Sequence, residues 1–249
     1  MKALIFAAGI GSRLKPFTLH HPKALVEVGG KPLLQHVVER LRDEGGIREM
    51  VVNVHHFPDQ IRDFIAANAN FGIDVQFSDE SSELLDTGGG LLKAWELLDP
   101  APDDAILLHN ADILTDFPIA EFVDNHIHSG RDVSLLVQRR QSSRMLWLDK
   151  NARLRGWQNM NSGECRPSGF IPASSAMEAR AFGGVHIVST SVLPYLRAYA
   201  DTHGEVFSTI PFYLDSLAEL RIGGFEPADT YRWFDIGSEE KLRAARAAW

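Results

Sequence analysis

Four charged residues, far apart in the chain, have the types that a phosphate-transfer site needs: Arg13, Lys23, Asp112 and Asp235. Arg13 ends the turn Ala7-Ala8-Gly9-Ile10-Gly11-Ser12-Arg13, which follows an apolar run. Lys23 comes ten positions later, in Pro22-Lys23-Ala24-Leu25. Glycines let main-chain N–H groups approach phosphate oxygens closely, and Arg and Lys neutralise the charge that backbone dipoles leave. Asp112 closes Asn110-Ala111-Asp112 at the end of another apolar run. In open α/β sheets that carboxyl edge is where ligands bind. Asp235 sits in Trp233-Phe234-Asp235-Ile236-Gly237, after an aromatic strand and before a glycine turn. Two carboxylates from distant segments, with phosphate oxygens, suffice to hold Mg²⁺. Either Asp alone also reads as a helix cap or turn residue.

Rival chemistries fail on spacing. A dinucleotide fingerprint needs a third glycine where this chain has Leu14. The spacing of a P-loop is absent, as is the G-x-S-x-G elbow of a serine hydrolase. Asn110-Ala111-Asp112 matches only part of the D-x-D metal motif of a glycosyltransferase. The ten histidines form no H-x-x-x-H or Cys–His cluster of the kind zinc requires. Thr87-Gly88-Gly89-Gly90 opens a helix, and its glycines expose backbone to a flat ligand or, at the helix N-terminus, to phosphate. Gly183 and Gly184 interrupt an apolar strand, which implies a bulge, a close ligand approach or tight packing.

The elements that must position these residues alternate. Strands are predicted over 2–7, 50–54, 73–77 and 105–108, and helices over 33–41, from 58 onward and over 89–98. That rhythm predicts an α/β fold with a mainly parallel mixed sheet and helices on both faces. A hairpin is predicted over 145–148 and 153–157, then a loop or flap over 159–175. A strand over 182–188, helices over 191–199 and 208–220, a strand over 221–225 and a closing helix from 239 complete the pattern. The expectation is one domain over 1–249, with an insertion at about 140–180 over the active face. At 45% hydrophobic and 23% charged residues, the composition is that of an ordinary globular chain. A formal charge of −8 argues against nucleic acid as a partner, so any phosphate site is a local basic pocket. The single cysteine, Cys165, fits a reducing compartment. No run is long enough to span a bilayer and no signal segment is visible, so a cytoplasmic location is expected.

Four ordered motifs carry a resemblance that covers nearly the whole chain: Ala8-Gly9-Ile10-Gly11-Ser12-Arg13 with Pro22-Lys23, Asp86-Thr87-Gly88-Gly89-Gly90, Asn110-Ala111-Asp112, and Trp233-Phe234-Asp235-Ile236-Gly237. The chain resembles the sugar-1-phosphate nucleotidylyltransferases. Within them it looks most like the N-acetylmuramate-1-phosphate uridylyltransferases, then the mannose-1-phosphate guanylyltransferases. The resemblance implies a Rossmann-like nucleotidyltransferase fold and a reaction between a nucleoside triphosphate and a sugar 1-phosphate. UTP is favoured, with GTP or CTP as alternatives, and a non-catalytic nucleotide-sugar sensor is a further reading. Arg13 and Lys23 would be catalytic. Ala7, Ala8, Gly9, Gly11, Ser12, Thr87, Gly88 and Asn110 would bind nucleotide, Thr87 and Gly88 beside the base. Gly183 and Gly184 would border the sugar, and Asp112 and Asp235 would hold Mg²⁺. A monomer or small homo-oligomer is expected. One departure is Ala111, where the family commonly has glycine; alanine forces ordinary backbone dihedrals there.

Overall fold

The apolar run after Met1 becomes β1 (Lys2–Phe6), whose Ala3, Leu4 and Ile5 are fully enclosed. The computed structural model describes residues 1–172 and 175–249, so two positions of the expected 159–175 loop lie outside the described residues. Three single 3₁₀ turns follow β1. Next come the short pair β2 (Glu27–Val28) and β3 (Lys31–Pro32), then α1 (Leu33–Asp43), β4 (Glu49–Val54), α2 (Pro58–Ala67), β5 (Asp74–Asp79), α3 (Asp86–Leu98) and β6 (Ala105–Asn110). β1 lies between β4 and β6, and β5 flanks β4, with every pairing parallel. Strands buried on both faces need apolar residues on both. Ile5, Val52 and Leu107 face α1 and α2 with Val38, Leu41 and Ile61. Leu4, Val51 and Leu108 face the other way, against Leu91 and Trp95 of α3. Each such enclosed aliphatic side chain contributes roughly 1.5–3 kcal/mol.

The second half is built differently. It comprises β7 (Ile113–Thr115), α4 (Ile119–Ser129), β8 (Val133–Gln138), β9 (Arg144–Asp149), β10 (Leu154–Asn159), β11 (Cys165–Arg166), β12 (Met177–Ser189), α5 (Leu193–His203), α6 (Thr209–Asp215), β13 (Ile222–Phe225), β14 (Trp233–Asp235) and α7 (Glu239–Ala248). β12 runs antiparallel to β6, β8 and β9, and β13 joins β8 in parallel. β12 extends five residues before the 182–188 strand expected from sequence. The charges of Glu178 and Arg180 hide the apolar period there, and Arg180 is buried because Glu226 pairs with it at 2.8 Å.

The 145–157 hairpin forms as β9 and β10. Asp149 accepts N–H bonds from Asn151 (2.9 Å) and Arg153 (3.0 Å) to close its turn. The expected helix over 208–220 is only Thr209–Asp215. The segment 140–180 continues the ladder of the sheet, since its β9 pairs with β12. None of its described residues lines the central cleft.

Asp235 is brought to Asp112 by β14, which pairs antiparallel with β7 and sets Asp235 opposite Ile113. Behind it, Leu242 and Ala245 of α7 pack with Ile236, Leu114, Leu14 and Leu33 in a small separate core. Ser238 caps α7 by accepting from Lys241 N, and Glu239 and Glu240 occupy the first turn, where the helix dipole favours acid.

Candidate active site

A cleft of about 500 Å³ opens at the carboxyl edge of β1, β4, β5 and β6. It is lined by Ala7, Ala8, Gly9, Gly11, Ser12, Arg13 and Lys23 from the first loop, and by Thr87, Asn110 and Asp112 from later ones. Nine of those ten are the residues expected from sequence to bind nucleotide or act in catalysis, and the tenth, Asp112, is the expected metal ligand.

The glycine loop is shaped by its own steric limits. Gly11 has φ +66°, and a Cβ there would lie 2.9 Å from Lys23 Cβ. Glycine at this point therefore permits both the left-handed turn and the approach of the Lys23 segment. Thr18 Oγ1 donates to Gly11 O at 2.9 Å and holds the turn closed. A Cβ on Gly9 would meet nothing within 4 Å, so the cleft has room directly above it. Among the described residues the N–H groups of Gly9, Ile10, Gly11 and Ser12 have no acceptor. Such a run of open amides is an anion-binding concavity. Ala7 and Ala8 differ: their N–H groups both donate to Asn53 Oδ1, at 2.6 and 3.1 Å, so these two residues shape the loop and leave the amides to their successors.

Asn53 is in turn held by Glu80. Its Nδ2 donates to Glu80 Oε1 at 2.8 Å, and Leu85 N donates to Glu80 Oε2 at 3.1 Å. Glu80 is fully buried, yet both carboxylate oxygens have partners. Sequence reasoning missed Asn53 and Glu80. For Asn53 the signal was available, since it is a polar residue near the carboxyl end of an apolar parallel strand; Glu80 follows the alternating, half-exposed β5, where a further acid does not stand out.

Lys23 Nζ donates to Asp112 Oδ2, joining one basic and one acidic residue of the expected set. Asp112 is anchored through its carbonyl, which accepts from Ile236 N at 2.9 Å. That bond ties the Asp112 loop to the Asp235 strand. Asp235 Oδ2 accepts from Lys241 Nζ at 2.5 Å, while Oδ1 leans toward Gly237, which lines the cleft beside Arg13. Arg13 is exposed and makes no ion pair among the described residues. Ala111 keeps a negative φ, with its N–H on Phe6 O at 3.0 Å, so the turn before Asp112 needs no glycine. Among the described residues no three His, Cys, Asp or Glu side chains group as metal ligands. Asp112 and Asp235 are the two carboxylates that would hold a divalent cation, since a small hard ion takes one or two carboxylates and completes its shell with phosphate and water oxygens.

The second glycine run behaves otherwise than expected. Gly88, Gly89 and Gly90 are buried, not open to a ligand. Gly88 N and Gly89 N donate to Phe207 O at 2.7 and 3.2 Å. Side chains there would strike the Phe207 ring and the Glu205 carbonyl, and on Gly90 a Cβ would lie 2.8 Å from Glu80 Oε1. Gly88 and Gly89 lack side chains because the 205–207 segment docks on α3, and Gly90 because Glu80 and Asn53 press against it. Thr87 does line the cleft, but its Oγ1 accepts from Thr209 N at 3.0 Å and starts α6 instead of capping its own helix. Docking of 205–207 also carries the exposed Val206 to the cleft wall.

Gly183 and Gly184 make a bulge where the β8–β12 register shifts between Phe182 and His186. Gly184 has φ +76°, and a Cβ there would lie 2.7 Å from Ile113. Gly183 packs against Leu136, and its carbonyl accepts from Trp233 Nε1 at 2.9 Å. Neither lines the cleft. Beside them Arg140 lies over the Trp233 ring, 4.2 Å from its centroid. Burial lowers the Arg140 pKa, and Asp235 and Tyr231 oppose that shift.

Residues 2–145 match the model of the nucleotidyl transferase family. The chain belongs to that family. Its members here are sugar-1-phosphate nucleotidyltransferases. Over 98% of the chain and 95% of the relative, it is 29% identical to an N-acetylmuramate alpha-1-phosphate uridylyltransferase of Caulobacter vibrioides. It is also 29% identical to the enzyme of that name from Neisseria meningitidis serogroup B, over the full length of both. A probable mannose-1-phosphate guanylyltransferase 1 of Oryza sativa is 35% identical, but over 55% of the chain and 38% of the relative's own length. The fold matches HddC from Yersinia pseudotuberculosis complexed with GMP-PN, with a TM-score of 0.72, 21% identity, and 99% and 98% of the two chains covered. No helix among the described residues is long and apolar enough to cross a membrane.

Proposed function

We propose that the chain transfers a nucleoside monophosphate from a nucleoside triphosphate to a sugar 1-phosphate, giving an NDP-sugar and pyrophosphate. The observation that carries this reading is the meeting of an open-amide loop, Arg13, Lys23 and Asp112 in one cleft, with the Asp235 strand hydrogen-bonded to the Asp112 carbonyl. An oxygen of the sugar phosphate attacks the α-phosphorus in line. A new P–O bond forms, the bond to the β-phosphate oxygen breaks, and pyrophosphate leaves with the electron pair. The attacking oxygen is already ionised at neutral pH, so no strong base is required. Positioning and charge stabilisation carry the catalysis.

The amides of Gly9, Gly11 and Ser12 cradle the triphosphate, and Arg13 neutralises the leaving pyrophosphate. Lys23 lies where the α-phosphate and the incoming phosphate meet, and Asp112 holds its ammonium in place. Asn110 and Thr87 line the nucleoside end. Asp112 and Asp235 would hold Mg²⁺. The bound ion supplies charge neutralisation between two anionic reactants.

UTP is the favoured donor, because the relatives aligned over the full chain are named uridylyltransferases. GTP is the second reading, supported by the higher identity of the guanylyltransferase over its shorter match. The single cysteine and this reaction both suit a cytoplasmic site. The test is pyrophosphate release over a grid of triphosphates and sugar 1-phosphates, with and without Mg²⁺. Release is expected with Mg²⁺, greatest with UTP, and abolished by chelator. No release across the whole grid would sink the reading.

A further inference from the structure

Among the described residues, four buried side-chain polar atoms lack a hydrogen-bond partner, and three of them are Gln138 Nε2, Arg140 Nε and the Tyr231 hydroxyl. These three belong to one neighbourhood. Gln138 ends β8 two residues before Arg140, and Arg140 and Tyr231 lie close enough for their charges to interact. Arg140 Nη2 donates to Phe182 O at 2.9 Å, just before the Gly183–Gly184 bulge. The bulge also presents Gly183 O to Trp233 Nε1, which fixes the indole as a platform under the guanidinium. Arg140 makes no ion pair among the described residues, although it is half-buried and its Nε is shut off from solvent.

A half-buried cation whose other donors reach only carbonyls, Phe182 O and Gln141 O, lacks a counter-ion, and an unpaired buried donor is costly. Gln138 Nε2 and Arg140 can only donate, and Tyr231 can donate its O–H. The complement of this set is an oxygen-rich anion, bound in the planar two-pronged manner that a guanidinium favours. Its place narrows the source. Asp235 stands between: Oδ1 leans to the cleft at Gly237, while its charge acts on Arg140 from the other side. The triphosphate loop with Arg13 and Lys23 is on the cleft side, so an anion at Arg140 comes from the second substrate.

We propose that Arg140, braced on Trp233 and flanked by Gln138 and Tyr231, binds an anionic oxygen group of the acceptor sugar phosphate. This rests on the nucleotidyl-transfer reading above. Two groups share the chemistry: the 1-phosphate itself, or a carboxylate elsewhere on the sugar.

The experiment compares wild type, R140Q and R140K in pyrophosphate release, varying acceptor at saturating triphosphate and then triphosphate at saturating acceptor. Each series uses a neutral hexose 1-phosphate and a carboxylated sugar 1-phosphate. R140Q is expected to raise the acceptor KM about 10- to 100-fold, as loss of a charge-assisted hydrogen bond does, with the triphosphate KM within about twofold. R140K, which keeps the charge but not the fork, recovers part of the loss, and serves alone if R140Q does not fold. An equal effect on both acceptors assigns the 1-phosphate; an effect confined to the carboxylated one assigns the carboxylate. Either outcome supports the proposal. An unchanged acceptor KM in an active R140Q overturns it, as does an equal rise in the triphosphate KM. No release by wild type with any pair overturns the parent reading, and this proposal with it.

Discussion

The parallel part of the main sheet, β1, β4, β5 and β6, and the region where β8 and β12 meet the separate strand β14 handle buried polar groups in opposite ways. In the first, Asn53 and Glu80 are matched to Ala7, Ala8 and Leu85, so the loop above them is set before any ligand arrives. Ser78 Oγ in β5 is the one unpartnered side-chain atom there among the described residues. In the second, three donors around Trp233 remain unmatched. A preset surface suits a triphosphate, whose geometry is the same whatever base follows it. An unfinished surface suits a substrate that supplies the missing acceptors itself, and so selects for the molecule that has them.

The comparison breaks most sharply at the charges that serve both halves. Asp112→Asn and Arg13→Ala should each lower turnover by ~100-fold or more in pyrophosphate release, as removal of charge-stabilising contacts does elsewhere. Near-normal turnover in both would show that the cleft is not the reaction centre. Next is the preset network. Asn53→Ala leaves the Ala7 and Ala8 amides without their acceptor and should cost about 1–3 kcal/mol per buried group in a urea titration. The triphosphate KM should rise with it, and a rise in the acceptor KM alone would contradict the division between halves.

A pair of glycine substitutions is expected to separate ligand space from packing. Gly9→Ala enters open room, so it should spare the urea midpoint while weakening triphosphate binding measured by calorimetry. Gly89→Ala meets the Glu205 carbonyl and should lose about 1–3 kcal/mol of stability, as overpacking does. The reverse pattern would show that the two runs have been assigned to the wrong roles.

The gentlest probe is pH, because three imidazoles are buried in or beside the sheet. His109 in β6 and His186 in β12 sit at the seam of the two halves, and burial pushes them down to about 4 and about 3. His126, between Ser134 and Ser189 hydroxyls, is pushed down to about 4 by the same cause. Below pH about 6.5 the unfolded chain takes up protons that the folded one refuses. Stability is therefore full near neutrality and falls as pH drops from 6.5 toward 4. Each imidazole contributes up to ~1.4 kcal/mol per pH unit, with no further loss from these groups below their folded pKa. Urea midpoints that stay flat between pH 6.5 and 5 would show that the three rings are not enclosed.

The parallel half was legible because β1, β4 and β6 are largely apolar runs and the residues that follow them stand out against them, while β5 shows a strict alternation. Arg13, Lys23, Asp112 and the first glycine loop could be placed on one edge from that pattern. The antiparallel half was less so. The length of β12 was hidden by Glu178 and Arg180, whose burial depends on Glu226 in a distant segment. Glycines were the least legible residues. Gly9 faces open room, Gly88 and Gly89 accommodate a segment more than a hundred residues away, Gly90 packs against Glu80 and Asn53, and Gly183–Gly184 form a bulge against Leu136 and Ile113. The residue type was the same in each case, and only the long-range neighbours distinguished the reasons.

Those glycine runs leave a readable trace in isotope exchange. The amides of Gly88 and Gly89 are bonded to Phe207 O inside the molecule, so their deuterons enter only when the 205–207 segment lifts away. The amides of Gly9, Gly11 and Ser12 have no such lock, so they exchange quickly in the free protein and slow when phosphate oxygens occupy them. One glycine run thus times the opening of the fold, and the other reports the arrival of the triphosphate, in the same spectrum.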